Sequence, residues 1–155
     1  MDGRAYAPGR RCSRSPMINV RSVDHVVLGV ADVEKVGAFY IDVLGGRWDR
    51  RRGDIGLHHL RLGEMMIDLV PVEGQLGRLG GAGPGSEGRN VDHVAFRVRP
   101  WDGHAILAAL KSHGIEAEIK SRYGADGDGP SIYLRDPEGN GVELKGPPSA
   151  AVPNS

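Results

Sequence analysis

Apolar and polar positions alternate along this chain in a pattern that occurs twice, in the same order. From position 23, Val26, Leu28 and Val30 fall on one side of an extended run while His25 and Val27 fall on the other. From position 91, Val94, Phe96 and Val98 repeat the first side, and His93, Ala95 and Arg97 the second. Both runs open on the same tetrapeptide, Val23-Asp24-His25-Val26 and Val91-Asp92-His93-Val94, and the two histidines stand 68 positions apart. After the first run, Asp32 is a helix cap, and Val33, Val36, Phe39, Tyr40, Val43 and Leu44 recur at helical spacing until Gly45-Gly46 stops them. Three strands are predicted next, over 47–51, 55–62 and 64–72. After the second run comes a helix through Ile106, Leu107 and Leu110, stopped at His113-Gly114, and then strands over 116–120, 131–135 and 141–145. The order is βαβββ, twice. An internal repeat of this size predicts an α+β fold in which two modules are related by a pseudo-twofold axis and curved mixed sheets enclose a cavity.

Strand parity assigns the faces. Val26, Leu28, Val30, Ile67, Leu69, Val94, Phe96, Val98, Ile132, Leu134, Val142 and Leu144 share one parity and form the predicted helix-facing core. The opposite parity carries His25, Val27, Met66, Asp68, Val70, His93, Ala95, Arg97, Ser131, Tyr133, Arg135, Glu143 and Lys145. That face is polar where a core would not be. Aligning the last strands of the modules sets Ile67-Asp68-Leu69-Val70 against Val142-Glu143-Leu144-Lys145, so Asp68 and Glu143 are repeat equivalents, as His25 and His93 are.

Two imidazoles and two carboxylates placed by the repeat suit one divalent metal per site, with Zn, Ni, Mn, Co and Fe all compatible with such donors. A lone strand histidine is more often a hydrogen-bonded structural residue; four groups related by the repeat reverse that weighting. The cavity is therefore expected to be metal-centred, with His25, His93, Glu143 and Asp68 as ligands. Asp68, with its shorter arm, can instead accept a proton from bound water or substrate. Arg97, Tyr133 and Lys145 fall on the cavity-facing parity as candidate substrate contacts. His59, on the parity of Leu57 and Arg61, either faces the cavity as an acid, base or substrate contact or is a surface or edge histidine. Arg122 joins them from a glycine-rich stretch that either closes over substrate or remains an ordinary solvated loop. His58, His104 and His113 read as structural or solvated, and Trp48 and Trp101 as core or interface residues.

Composition narrows the partners. The chain has 155 residues, with 20 basic and 20 acidic side chains, so it carries no electrostatic footprint for nucleic acid or an anionic membrane. A small-molecule substrate is expected. The single cysteine, Cys12, can form no internal disulfide, and no apolar run approaches the roughly 20 residues of a membrane span, which makes the cytoplasm the expected location. Residues 1–17 read as a disordered basic tail, 22–72 as module one, 73–90 as a flexible glycine-rich linker, 91–146 as module two and 147–155 as a second tail. The linker contains eight glycines or prolines.

With these motifs in hand, the chain resembles the vicinal oxygen chelate superfamily, which contains glyoxalase I, methylmalonyl-CoA epimerase, fosfomycin-resistance enzymes, extradiol dioxygenases and bleomycin-binding proteins. The resemblance covers about Ser22 to Gly146. It rests on Asp24-His25-Val26-Val27-Leu28 with Phe39-Tyr40 and Leu44-Gly45, on Val91-Asp92-His93-Val94-Ala95-Phe96, and on Tyr133-Leu134-Arg135-Asp136-Pro137-Glu138-Gly139-Asn140 with Val142-Glu143-Leu144. It implies metal ligation by His25, His93 and Glu143, with Asp68 at the variable fourth position where glyoxalase I would carry Glu. It also implies a homodimer, as in many relatives. The implied activity is that of a metal-dependent lyase or isomerase of the glyoxalase type, with Glu143 and Asp68 as catalytic carboxylates and a hemithioacetal as an example of the oxygen-chelating substrate. The alternatives are a fosfomycin-type transferase or hydrolase, for which Arg97 and Lys145 would meet the phosphonate, and a non-catalytic drug-binding resistance protein. A ring-cleaving dioxygenase loses ground because no histidine occurs in Tyr123-Gly124-Ala125-Asp126-Gly127-Asp128-Gly129.

Overall fold

The computed structural model describes residues 18, 20–85 and 87–149. Cys12, the expected basic tail and the end of the second tail lie outside these residues. The first module runs β1 (His25–Val30), α1 (Val33–Ala38), a π-helical turn (Phe39–Val43), β2 (Arg47–Arg52), β3 (Leu57–Leu62) and β4 (Met65–Pro71). The second runs β5 (His93–Arg97), α2 (Gly103–Ser112), β6 (Ile119–Gly124), β7 (Gly127–Arg135) and β8 (Gly141–Lys145). A 3-10 turn, Gly77–Gly80, lies between the modules.

The two sheets have the same topology, β1-β4-β3-β2 and β5-β8-β7-β6. In each, the helix carries the chain across the sheet, and the three-strand meander returns its last strand parallel to the first. Each α-helix begins on an aspartate: Asp32 accepts from the Lys35 amide and Asp102 from the Ala105 amide. The π turn places Phe39 and Tyr40 in the core, and Gly45, at φ +74°, ends the helical stretch.

Both back faces feed a single core. Val30, Val36, Phe39, Tyr40, Leu60, Ile67 and Leu69 of module one cluster with Leu110, Ile132, Leu134, Val142 and Leu144 of module two, as parity predicts. Trp48 and Trp101 pack against that cluster, and the Trp48 ring sits so close to Gly37 that a Cβ there would lie 2.4 Å from it. A polar joint also ties the modules together. Glu138, in the turn between β7 and β8, accepts hydrogen bonds from the Ala31 and Asp32 amides at 2.8–2.9 Å, and Tyr40 donates to buried Asp136 at 3.4 Å.

Two segments differ from the sequence expectation. The strand expected over 116–120 forms instead as β6 at Ile119–Gly124, and β7 begins at Gly127, so the stretch containing Arg122 and Tyr123 is a hairpin. The glycines that suggest a loop serve close packing: a Cβ on Gly129 would lie 2.3 Å from the Pro147 carbonyl oxygen, where residues 146–149 run beside β7. The second is the glycine-rich connection, whose first half is docked on the end of β4. There a Cβ on Gly77 would lie 2.1 Å from the Pro71 carbonyl oxygen. Among the described residues no helix is long and apolar enough to cross a membrane.

Candidate metal and substrate site

The repeat builds two half-sites. In module one, β1 and β4 run parallel with Val27 opposite Asp68, and β3 sets His59 opposite Asp68 from the other side. Asp68 is buried, and its Oδ1 lies 2.8 Å from His59 Nδ1. His25 is exposed one step along the same face, and its Nδ1 is 2.6 Å from Asp24. The Asp24 carboxylate raises the His25 imidazole above its ordinary pKa of 6.5; burial opposes the shift and Asp68 adds to it.

Module two repeats the construction. Ala95 pairs with Glu143 in the parallel β5–β8 ladder, and Tyr133 pairs with Glu143 from β7. His93 Nδ1 is 2.7 Å from Asp92, and its Nε2 is 3.0 Å from Glu143. His93 holds the Asp92 carboxyl below its ordinary value. The Tyr133 ring meets the His93 ring edge-on at 5.5 Å. Its phenol is pushed up, first by burial and then by the charge and hydrogen bond of Glu143, against the opposing effect of Arg122.

In both half-sites the imidazole Nδ1 is engaged by the preceding aspartate, so Nε2 is the nitrogen aimed forward. A carboxylate on Nδ1 fixes ring orientation and raises ligand basicity, which is the usual outer-shell arrangement of a metal-binding histidine. Two such imidazoles and two buried carboxylates fit a divalent ion by donor chemistry. Asp24 and Asp92 were within reach of sequence reasoning, since they belong to the repeated tetrapeptide, but a strand residue's side chain turning back on its neighbour is not something parity reports.

The half-sites do not meet within one chain. Among the described residues no three His, Cys, Asp or Glu side chains gather closely enough to hold a metal. The reason is architectural: the back faces share the core, which leaves each front face turned away from it. Of the other expected contacts, His59 joins Asp68, and Tyr133 joins Glu143 with Arg122 beside it. Arg97 is paired with Asp126 at 3.0 Å, and Lys145 Nζ donates to the carbonyl of Arg122, to the Gly129 carbonyl at 3.0 Å and to Ser131 Oγ at 3.2 Å. His58 packs edge-on against Trp48 and accepts from Arg51, and His113 caps the end of α2, both structural positions.

A paired βαβββ scaffold whose modules each offer a histidine from the first strand and a carboxylate from the last defines a glyoxalase-like fold. The chain belongs to the Glyoxalase/Bleomycin resistance protein/Dioxygenase superfamily, whose profile matches residues 22–144. Among solved structures it is similar to a virulence protein from Salmonella typhimurium, with 25% identity and a TM-score of 0.67 over 84% of this chain and 99% of that one. It is also similar in fold to lactoylglutathione lyase from Agrobacterium tumefaciens, with 21% identity and a TM-score of 0.61 over 83% and 95% of the two chains. A third similar fold is a variant of the fosfomycin resistance protein FosX from Listeria monocytogenes, complexed with Mn(II) and 1S,2S-dihydroxypropylphosphonic acid, with 20% identity and a TM-score of 0.58 over 84% and 94%.

Proposed function

We propose that the protein is a divalent-metal-dependent enzyme of the glyoxalase type, a lyase or isomerase acting on a small molecule that presents two adjacent oxygens. In this reading His25 and Asp68 of one chain face His93 and Glu143 of a second in a homodimer, giving two equivalent sites. The observation that carries it is the pair of matching half-sites, each an outward-facing imidazole backed by an aspartate and set beside a buried carboxylate. A C2 dimer joins two such complementary faces twice with the same contacts.

The metal, when bound, supplies Lewis acidity that stabilises negative charge on substrate oxygen. The protein's own groups move the proton. Glu143 receives it from substrate carbon and returns it to a neighbouring atom; Asp68, oriented by His59, serves the same purpose from the opposite face. Tyr133 steadies Glu143 through its hydroxyl. The phosphonate-processing alternative is weakened by Arg97 and Lys145, whose charges are already engaged.

Elemental analysis tests the reading. Wild-type protein is expected to hold about one divalent ion per chain, and His25→Ala and Glu143→Ala to hold none after desalting. Absence of metal in the reconstituted wild type would overturn it. A subtler change is expected from Asp24→Ala and Asp92→Ala, which leave all four ligands in place and remove only the group on Nδ1. Each is expected to weaken metal affinity by about 10-fold or more, as outer-shell substitutions do. Competition with a chromophoric chelator measures it, and unchanged affinity would leave the aspartates without a role in orienting the rings.

A further inference from the structure

We infer that the substrate presents an uncharged, apolar body to module one, seated in the cleft between the β1–β4 face and the docked connection beginning at Leu76; this rests on the metal-site reading above. The cleft has a volume of about 540 Å³, within the range of about 300–1,000 Å³ typical of small-molecule sites. Its chemistry is graded along the strands. His25 and Asp68 stand at one end, and because alternate residues of β1 and β4 share a face, the next positions are Val27, Gly29 and Val70. Val72 and Leu76 close the far end. Among the described residues lining the cleft, only His25 and Asp68 are ionisable.

The connection is held as a wall. Gly77 lies flush on the backbone of β4, the Leu76 amide donates to the Ile55 carbonyl at 3.3 Å, and a Cβ on Gly83 would sit 3.2 Å from Val72. A charged substrate group placed against this wall would lose water and gain no partner from it, whereas an apolar body would be favoured by the area it removes from water. The chelating end points to substrate oxygens and the far end to hydrocarbon, so the ligand class is a small neutral molecule with vicinal oxygens on an aliphatic or aromatic body.

Three hydroxamates separate these statements, because all share one chelating head. Calorimetric titration of Mn(II)-loaded protein is expected to show benzohydroxamate binding about 10-fold or more tightly than acetohydroxamate, and succinic monohydroxamate, with its carboxylate, no more tightly than acetohydroxamate. Leu76→Arg, which sets a cation in the far wall, is expected to reverse the order of the aromatic and anionic probes. Val27→Arg provides the same test from β1 should Leu76→Arg fail to fold. Equal affinities for all three, or preference for the anionic probe in wild type, would overturn the inference and leave the metal reading standing. Failure of all three to bind, with no Mn(II) retained, would remove both.

Discussion

An equimolar mixture of His25→Ala and Glu143→Ala chains, each metal-free alone, is expected to regain about one quarter of the wild-type metal capacity after subunit exchange. The fraction follows from the geometry. In the proposed homodimer each site would take His25 and Asp68 from one chain and His93 and Glu143 from the other, so in a mixed dimer one site would carry both lesions and the other neither. Random pairing makes about half of the dimers mixed, and half of the sites in those are intact. The reason to expect sharing is that one chain sets His25 near Asp68 and His93 against Glu143, while among its described residues no three such groups gather closely enough to hold a metal. Activity and metal content should recover together as exchange proceeds. No recovery in verified mixed dimers would mean that the four groups gather within a single chain by a rearrangement of the modules, because neither variant chain then holds an intact set.

The same point marks where the sequence stopped being informative. Alternation identified the faces of the strands, and the core that formed includes Ile67, Leu69, Ile132, Leu134, Val142 and Leu144 as read from it. Repeat alignment paired Asp68 with Glu143, and both are buried on equivalent last strands. What parity lacks is the rotation of one sheet against the other. A face can be known as polar without its opposing face being known, so an expectation that four ligands meet around one axis was silent on whether that axis runs within a chain or between two. The hairpin of β6 and β7 was missed for a different reason. In Tyr123-Gly124-Ala125-Asp126-Gly127 the glycines look like loop residues by composition, yet Gly124 and Gly127 pair across the hairpin end, and Gly129 admits the backbone near Pro147. Close approach of two backbones leaves the same mark in a sequence as flexibility does. The glycines of the docked connection carry that ambiguity too, and there it concealed a wall of the cleft.

Asp136→Ala is expected to cost about 3–5 kcal/mol of folding stability, roughly a fifth or more of the ~5–15 kcal/mol a domain usually has. Asp136 is buried, and its carboxylate accepts from the Glu138 amide at 3.0 Å, the Asn140 amide at 2.8 Å, the Asn140 side-chain amide at 2.8 Å and the Tyr40 hydroxyl at 3.4 Å. Removing one acceptor therefore leaves several donors without partners, and a donor left buried costs more than the bond it formed was worth. Burial, with the Asp136 charge adding to it, already pushes the Tyr40 phenol well above its ordinary value, so ionisation offers Tyr40 no relief. The loss spreads because the turn held by Asp136 presents Glu138 to the Ala31 and Asp32 amides, joining module two to the start of α1. Asp136→Asn keeps one acceptor oxygen and should lose appreciably less. Urea unfolding measures both: the midpoint should fall in the order wild type, Asn, Ala with little change in slope. A loss below about 1 kcal/mol for the alanine variant would show that water replaces the carboxylate, making the turn a signature of the fold without being a brace of it.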